Sequence, residues 1–336
     1  MHLTRRELFK LITVSASGAA VLKAMEEVAD ALTSQANPPA LIWLNDGGDD
    51  LNLLTLLGQA LPRFLELVTV HWDLQEHAGI LPTGYQTARE AGSAAPIFVV
   101  ERLPPSEAVQ PGAGGPLSER LAMAKAAVIV GTDACYGGIA HTAQDVARFE
   151  TLCKRTQTPL IKLPGVPTPP HHLVGVLAHL EFFGFPRLDA HRRPLIYYGE
   201  TVCSQCERRG DLEAGRFARR FGEEGCLLRL GCKGLITHNT CPTARWNNGE
   251  NWCVGAGGPC TGCSEPGFPD HGGVGLYGVL SGGAAGSRSL FWASVEHIGY
   301  GLLGLVGAGM ALQVLRRVLF AAPQPTRAPA PRREEH

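Results

Sequence analysis

At 336 residues with a 45% apolar fraction, the chain is long enough to bury one large core or two ordinary ones, which excludes a disordered polymer. A formal net charge of -1, with no stretch in which basic and aromatic residues interleave, excludes a nucleic-acid-binding surface. Charged residues make up only 18% while glycines number 41 and prolines 24, so many loops take shapes dictated by backbone, as cofactor-holding loops do.

Residues 1–36 carry Arg5-Arg6, then an apolar stretch from Leu11 to Leu22 rich in small residues, then polar chain. Paired arginines ahead of a short apolar segment are the pattern of a twin-arginine export signal, with an ordinary amphipathic helix as the alternative.

Residues 37–200 alternate strand-like runs with helical spacing. The strand candidates are PALIWLN, LVTVHW, APIFVVE, AAVIVGT, TPLIKLPG and PLIYYGE; LNLLTLLGQALPRFLELV, LSERLAMAKA, AQDVARFETLCKR and HHLVGVLAHLEFF show helical periodicity between them. That order predicts an α/β fold, a flavodoxin-like doubly wound parallel sheet with its site at the carboxyl ends of the strands. Three loops fall there, at 45–52, 131–139 and 163–170.

From 201 to 271 the regular patterning stops and eight of the ten cysteines crowd together: Cys203, Cys206, Cys226, Cys232, Cys241, Cys253, Cys260 and Cys263. They include two C-x-x-C pairs. Disulfides are one account of an even set in an exported chain, and two zinc sites another. Iron-sulfur ligation is the third, because the twin-arginine route carries proteins already folded around a cofactor. Cys135 and Cys153 stand apart in the sheet region and read as small apolar residues.

Residues 272–288 form a glycine-rich linker. Residues 289–320 hold an almost unbroken apolar run, Ile298 to Val314, closed by Arg316-Arg317, which predicts a transmembrane helix; a buried core helix is the alternative. Trp292 suits an interfacial belt, and five glycines from Gly299 to Gly309 suit close helix packing. The arginines of the proline-rich tail, 321–336, put that tail in the cytoplasm and the main body on the periplasmic side of the inner membrane.

The stretch CLLRLGCKGLITHNTCP, followed by WNNGENWCVGAGGPCTGCSEPGFPD, resembles the cluster-binding region of the small subunit of membrane-bound nickel-iron hydrogenases. The export signal, the sheet region, the GTDACYGGI and LPGVP loops and the C-terminal anchor occur in that family in the same order. The resemblance implies a distal 4Fe-4S cluster on Cys203, Cys206, Cys226 and Cys232, with cysteine where the family usually has histidine. It implies a medial cluster on Cys241, Cys260 and Cys263. Most members have proline at the position of Cys253 and build a three-iron centre; a fourth thiolate predicts a 4Fe-4S cluster here, with a lower potential.

The family carries a third, proximal cluster on the sheet domain. Aligning on Trp43-Leu44, Gly131-Thr132 and Leu163-Pro164-Gly165 puts Asp49, Asn52, Asp133 and Val166 where its four thiolates belong, so that cluster is expected to be absent. Asp49, Asp50 and Asp133 then either bind a hard cation, receive a basic group of a partner, or stand as solvated acids in a wet pocket. The resemblance further implies a hydrogenase-like large subunit and a membrane cytochrome b as partners, with no catalytic residue on this chain.

Overall fold

The computed structural model describes residues 41–45, 51–52, 55, 75–78, 95–105, 116–246 and 249–280. All of them but Leu280 fall in a compact unit that extends to Val279. The export segment, the transmembrane run, the tail, Asp49 and Asp50 lie outside them, as does the strand candidate LVTVHW. Among the described residues no helix is long and apolar enough to cross a membrane.

Among the described residues five parallel strands make one sheet, ordered β2-β1-β3-β4-β5: β1 Leu41–Asn45, β2 Gln75–Ala78, β3 Ile97–Val100, β4 Ala126–Val130 and β5 Leu160–Leu163. Successive side chains along a strand point to opposite faces, and both faces are covered. One face carries Trp43, Val99, Val128 and Ile161 against helix α4, Pro170–Phe182, through Val174 and Leu177. The opposite face carries Ile42, Phe98, Ile129 and Leu160 against helices α1, Pro116–Ala122, and α3, Ala143–Arg155. Continuous apolar strand runs follow from burial on both sides. Cys135 and Cys153 belong to this second core, and burial pushes both thiols up to about 12.

Helix α3 starts at a capping box in which Thr142 Oγ1 accepts the Asp145 N–H and the Asp145 carboxylate accepts the Thr142 N–H. A short helix α2, Thr132–Tyr136, follows β4 directly.

One strand candidate is corrected. Within PLIYYGE, Leu195–Tyr198 forms a single helical turn, α5, in which the N–H groups of Tyr197 and Tyr198 both donate to Pro194 O. Tyr197 and Tyr198 are consecutive and both buried against the α4 face, which a strand's alternation forbids. A four-residue apolar run between Pro194 and Gly199 is too short for its period to separate the two possibilities.

Beyond Tyr198 regular structure is sparse: α6 Arg209–Glu213, a 3-10 turn at Leu227–Leu230, α7 Cys241–Ala244 and isolated bridges. A small core of Val202, Ala218, Leu227, Trp252, Val254 and Cys260 holds this region, with Cys206, Cys232 and Cys241 packed against it.

Two buried polar links join it to the sheet region. Arg193, 3% exposed at its side chain, reaches Asp189 Oδ2 at 2.7 Å, Glu265 Oε1 at 2.9 Å and the Ser264 carbonyl at 3.1 Å. The second link runs through α4. Tyr198 OH donates to Pro164 O at 2.8 Å, so it accepts from His172 Nδ1 at 3.0 Å. His172 Nε2 therefore lacks a proton and accepts from Thr240 Oγ1 at 2.7 Å, which in turn accepts from His171 Nε2 at 3.0 Å.

Burial holds both histidines neutral, His171 down at about 4 and His172 well below the ordinary value. The unfolded chain takes up these protons near pH 6.5 while the folded chain refuses them, so their stabilisation is complete above pH 6.5 and is lost as pH falls toward 4. The expected slope is about 1.4 kcal/mol per pH unit for each histidine. Urea midpoints measured across that window in the wild type and in His172→Asn check this; a wild-type curve no steeper than the variant's refutes it.

Candidate metal centres

The first four cysteines come from three separate segments. Cys203 and Cys206 sit in the turn after Val202, Cys226 immediately precedes the 3-10 turn, and Cys232 follows it. All four line one cavity with about 400 Å³ of atom-free space, part of it open to solvent, whose other walls include Leu212, Leu227, Leu235 and Val254. Backbone fixes this convergence. Gly231 adopts φ 88°, and a Cβ there would lie 2.1 Å from Tyr277 O, so the chain turns back beneath Cys232 only without a side chain.

Donors aim at these sulfurs. The Arg208 N–H points to Cys206 Sγ at 3.4 Å, Arg209 Nη1 to Cys203 Sγ at 3.8 Å, and the Cys260 N–H to Cys232 Sγ at 3.4 Å. Burial raises the thiols of Cys206, to about 11, and of Cys226 and Cys232; neighbouring cysteines raise them further and the backbone donors oppose this.

The second four thiols are also grouped. Burial, then Cys263, Cys260 and Cys253 in that order, raise Cys241 well above its ordinary value, while the Trp246 indole N–H opposes them. Cys263 is raised to about 11 by burial and lowered by the Val166 N–H. Cys260 is buried, with its thiol 3.6 Å from Thr237 Oγ1. Cys253 is the exposed member of the set. Asn239 Nδ2, two residues before Cys241, is buried with no partner among the described residues.

Among the described residues no three His, Cys, Asp or Glu side chains approach closely enough to hold a single metal ion. Zinc needs sulfurs about 2.3 Å from one point. The first four thiols, spread around an apolar cavity and supplied with N–H donors, suit instead a group several atoms wide that brings its own sulfur. The donor set therefore fits iron-sulfur clusters.

The sheet-domain loops show a different chemistry. Asn52, Asp133 and Val166 line one cavity at the carboxyl edge of the sheet, with about 1110 Å³ of atom-free space, some of it open solvent. Asp133 is not left to water: its carboxylate accepts the N–H groups of Ile139 at 2.5 Å, Ala140 at 3.1 Å and His141 at 2.9 Å, pinning the loop after α2. Gly138 belongs to that loop because a Cβ there would lie 2.2 Å from Asp133 Oδ1. Asn52 Oδ1 accepts the Thr168 N–H at 2.7 Å, and its own N–H donates to Glu101 Oε1 at 2.6 Å. Glu101 Oε2 accepts the Trp43 indole N–H at 3.0 Å. Val166 is 46% exposed.

Sequence reasoning missed Glu101. Its signal was a carboxylate at the end of an otherwise apolar strand, where a buried acid needs donors. It also missed Lys233, a fully buried lysine between Cys232 and Cys260.

Replacing Cys253 with proline is expected to convert the second centre toward a three-iron form. The change would be read as a new paramagnetic signal in the oxidised state; an unaltered spectrum counts against Cys253 as a ligand.

The family model for the C-terminal part of the NiFe/NiFeSe hydrogenase small subunit matches residues 198–274. The periplasmic [NiFe] hydrogenase small subunit of Solidesulfovibrio fructosivorans is 33% identical over 290 residues, covering 80% of this chain and 90% of that protein. The quinone-reactive Ni/Fe-hydrogenase small chain of Wolinella succinogenes is 40% identical over 167 residues, covering 47% of each. Among solved structures, a chain of the reduced, active Ni-Fe-Se hydrogenase of Desulfomicrobium baculatum superposes with a TM-score of 0.58 at 26% identity, over 72% of this chain and 100% of that one. Fold, cysteine-region match and near-full-length identity converge: the chain belongs to the nickel-iron hydrogenase small-subunit family.

Proposed function

We propose that the chain is the electron-transfer subunit of an exported, membrane-anchored hydrogenase or hydrogenase-like complex, pairing with a large subunit and passing electrons to a membrane cytochrome b or quinone pool. Cys203, Cys206, Cys226 and Cys232 would hold a distal 4Fe-4S cluster, and Cys241, Cys253, Cys260 and Cys263 a medial one. Such clusters store and release single electrons at potentials set by thiolate ligation, N–H···S bonds and exposure. The residues themselves position the sulfurs, exclude water and supply those donors. The quinone-reactive relative supports the acceptor. The domain layout belongs to the same proposal: an export signal at 1–36, sheet domain at 37–200, cluster domain at 201–271, linker at 272–288, anchor at 289–320 and cytoplasmic tail at 321–336.

The observation that carries it is the gathering of eight thiols into two sets joined by the Cys260 N–H bond to Cys232 Sγ. Iron analysis of anaerobically purified chain is expected to give about eight irons per polypeptide, two cubanes. Twelve would mean a proximal cluster is present; none would end the proposal.

The vacated loops favour a second reading, a redox-relay or scaffold subunit of a complex that has lost hydrogen activation. Asn52 and Asp133 are committed to backbone hydrogen bonds and the Val166 side chain offers no donor atom, which supports a loss of the proximal cluster; the fourth position, Asp49, lies outside the described residues. The two C-x-x-C nickel-binding pairs of the adjacent large-subunit gene decide between the readings: their absence would leave only the second.

A further inference from the structure

Lys233 is fully buried, yet it has no carboxylate partner among the described residues. Another deeply buried lysine, Lys162, shows the ordinary solution: Glu150 lies 2.7 Å from its ammonium. Lys233 Nζ instead donates to three backbone carbonyls, Gly231 O at 3.2 Å, Leu276 O at 2.6 Å and Gly278 O at 3.3 Å. Carbonyl dipoles satisfy its hydrogen bonds but bring no countercharge. An ammonium removed from water without one is expensive, so a negative partner is to be expected close by.

Among the described residues, the groups that act on its charge are two thiols, Cys260 and Cys232; the His271 ring also lies beside its stem, across Gly262, with Nε2 2.8 Å from Thr261 O. Cys232 precedes it in the chain and belongs to the first set of four. Cys260 belongs to the second set, and its carbonyl accepts the Lys233 N–H at 2.8 Å. Thr237 Oγ1 bonds both the Lys233 carbonyl and Cys260 Sγ, fixing this side of the arrangement. Lys233 thus sits at the seam between the two sets, beside the Cys260 N–H bond to Cys232 Sγ.

We propose that Lys233 is the shared countercharge of both cluster sites, a positioning residue whose ammonium stabilises the reduced state of the distal and the medial cluster alike. This rests on the two-cluster reading above. A thiolate-ligated cluster is anionic and gains a further negative charge on reduction, so a fixed positive charge between two of them favours the added electron on each. Its position at the seam also makes its effect common to both, unlike Arg209, which faces Cys203 of the distal set alone.

The test is an anaerobic redox titration of the full-length chain followed by electron paramagnetic resonance, comparing wild type, Lys233→Met, Lys233→Gln and Lys233→Arg, with Cys253→Pro marking the medial signal. In the Met and Gln variants both clusters are expected to become harder to reduce, each by at least tenfold in the reduced-to-oxidised ratio at fixed ambient potential, which is about 59 mV for one electron. The Arg variant is expected to stay near wild type. Unshifted potentials, or a shift in one cluster alone, overturn the role of Lys233 while leaving the clusters standing. If the neutral variants fail to load iron, loading by Lys233→Arg supports a requirement for charge, whereas failure of Arg as well assigns the residue to packing and overturns the proposal. Absence of cubane signals from wild type overturns the cluster assignment and this inference together.

Discussion

Arg193→Met is expected to destabilise the chain by about 3–5 kcal/mol, the cost of breaking a buried ion pair by removing one partner. Its guanidinium is 3% exposed and holds two carboxylates, Asp189 and Glu265, that sit on opposite sides of the junction between the sheet and the cysteine-rich region. Methionine fills the volume but strips the cation from both acids, leaving Glu265 with His238 and the partly buried Asp189 with the His191 and Arg193 N–H groups. Glu265 also accepts the His238 N–H at 2.7 Å, and the Ser264 carbonyl beside Cys263 loses its donor. The first consequence is a lower urea midpoint under anaerobic conditions, followed by tryptophan fluorescence. The second is looser seating of Cys263, so iron content of the medial set should fall before that of the distal set. An unchanged midpoint would remove Arg193 as the clamp between the two regions.

Glu101→Gln is expected to cost about 2–4 kcal/mol, although glutamine is nearly isosteric, because two buried or half-buried donors need two acceptor oxygens. Trp43 Nε1 and the Asn52 N–H approach different oxygens of the same carboxylate. An amide offers one oxygen and one NH2, so whichever way it turns, one donor meets another donor. The Asn52 backbone is the first to yield, and with it the Asn52 Oδ1 bond to the Thr168 N–H. Hydrogen exchange at Thr168 and the thermal midpoint report the two effects separately. Equal protection in wild type and variant would show that the loops hold without this network.

The second outcome bears on how the loops at the carboxyl edge of the sheet keep their shape. At that edge, loops from β1, β3, β4 and β5 are tied by oxygen and nitrogen: Asn52 to Thr168, Glu101 to Trp43 and Asn52, Asp133 to the loop at Ile139–His141, and Thr168 Oγ1 to the Gly131 N–H at 2.7 Å. The acids expected as solvated occupants of a wet pocket include one, Asp133, whose carboxylate is spent on the protein's own amides. Asp49 and Asp50 lie outside the described residues.

The sequence by itself determined the sheet. Four of its five strands fall on runs whose apolar character follows from burial on both faces, and helices α1, α3 and α4 fall on spacings that repeat each turn. It also singled out the eight cysteines from Cys203 to Cys263, four of them in two C-x-x-C pairs, as candidates for one kind of chemistry. It failed at Leu195–Tyr198, where four apolar residues between a proline and a glycine suit a strand or a helical turn equally, and packing against α4 chose the turn. Only the tertiary structure decided what Glu101, Asp133, Arg193 and Lys233 do. The pairing of such a charge has no period and no spacing, so its meaning lies in the donors, acceptors and sulfurs that folding brings to it.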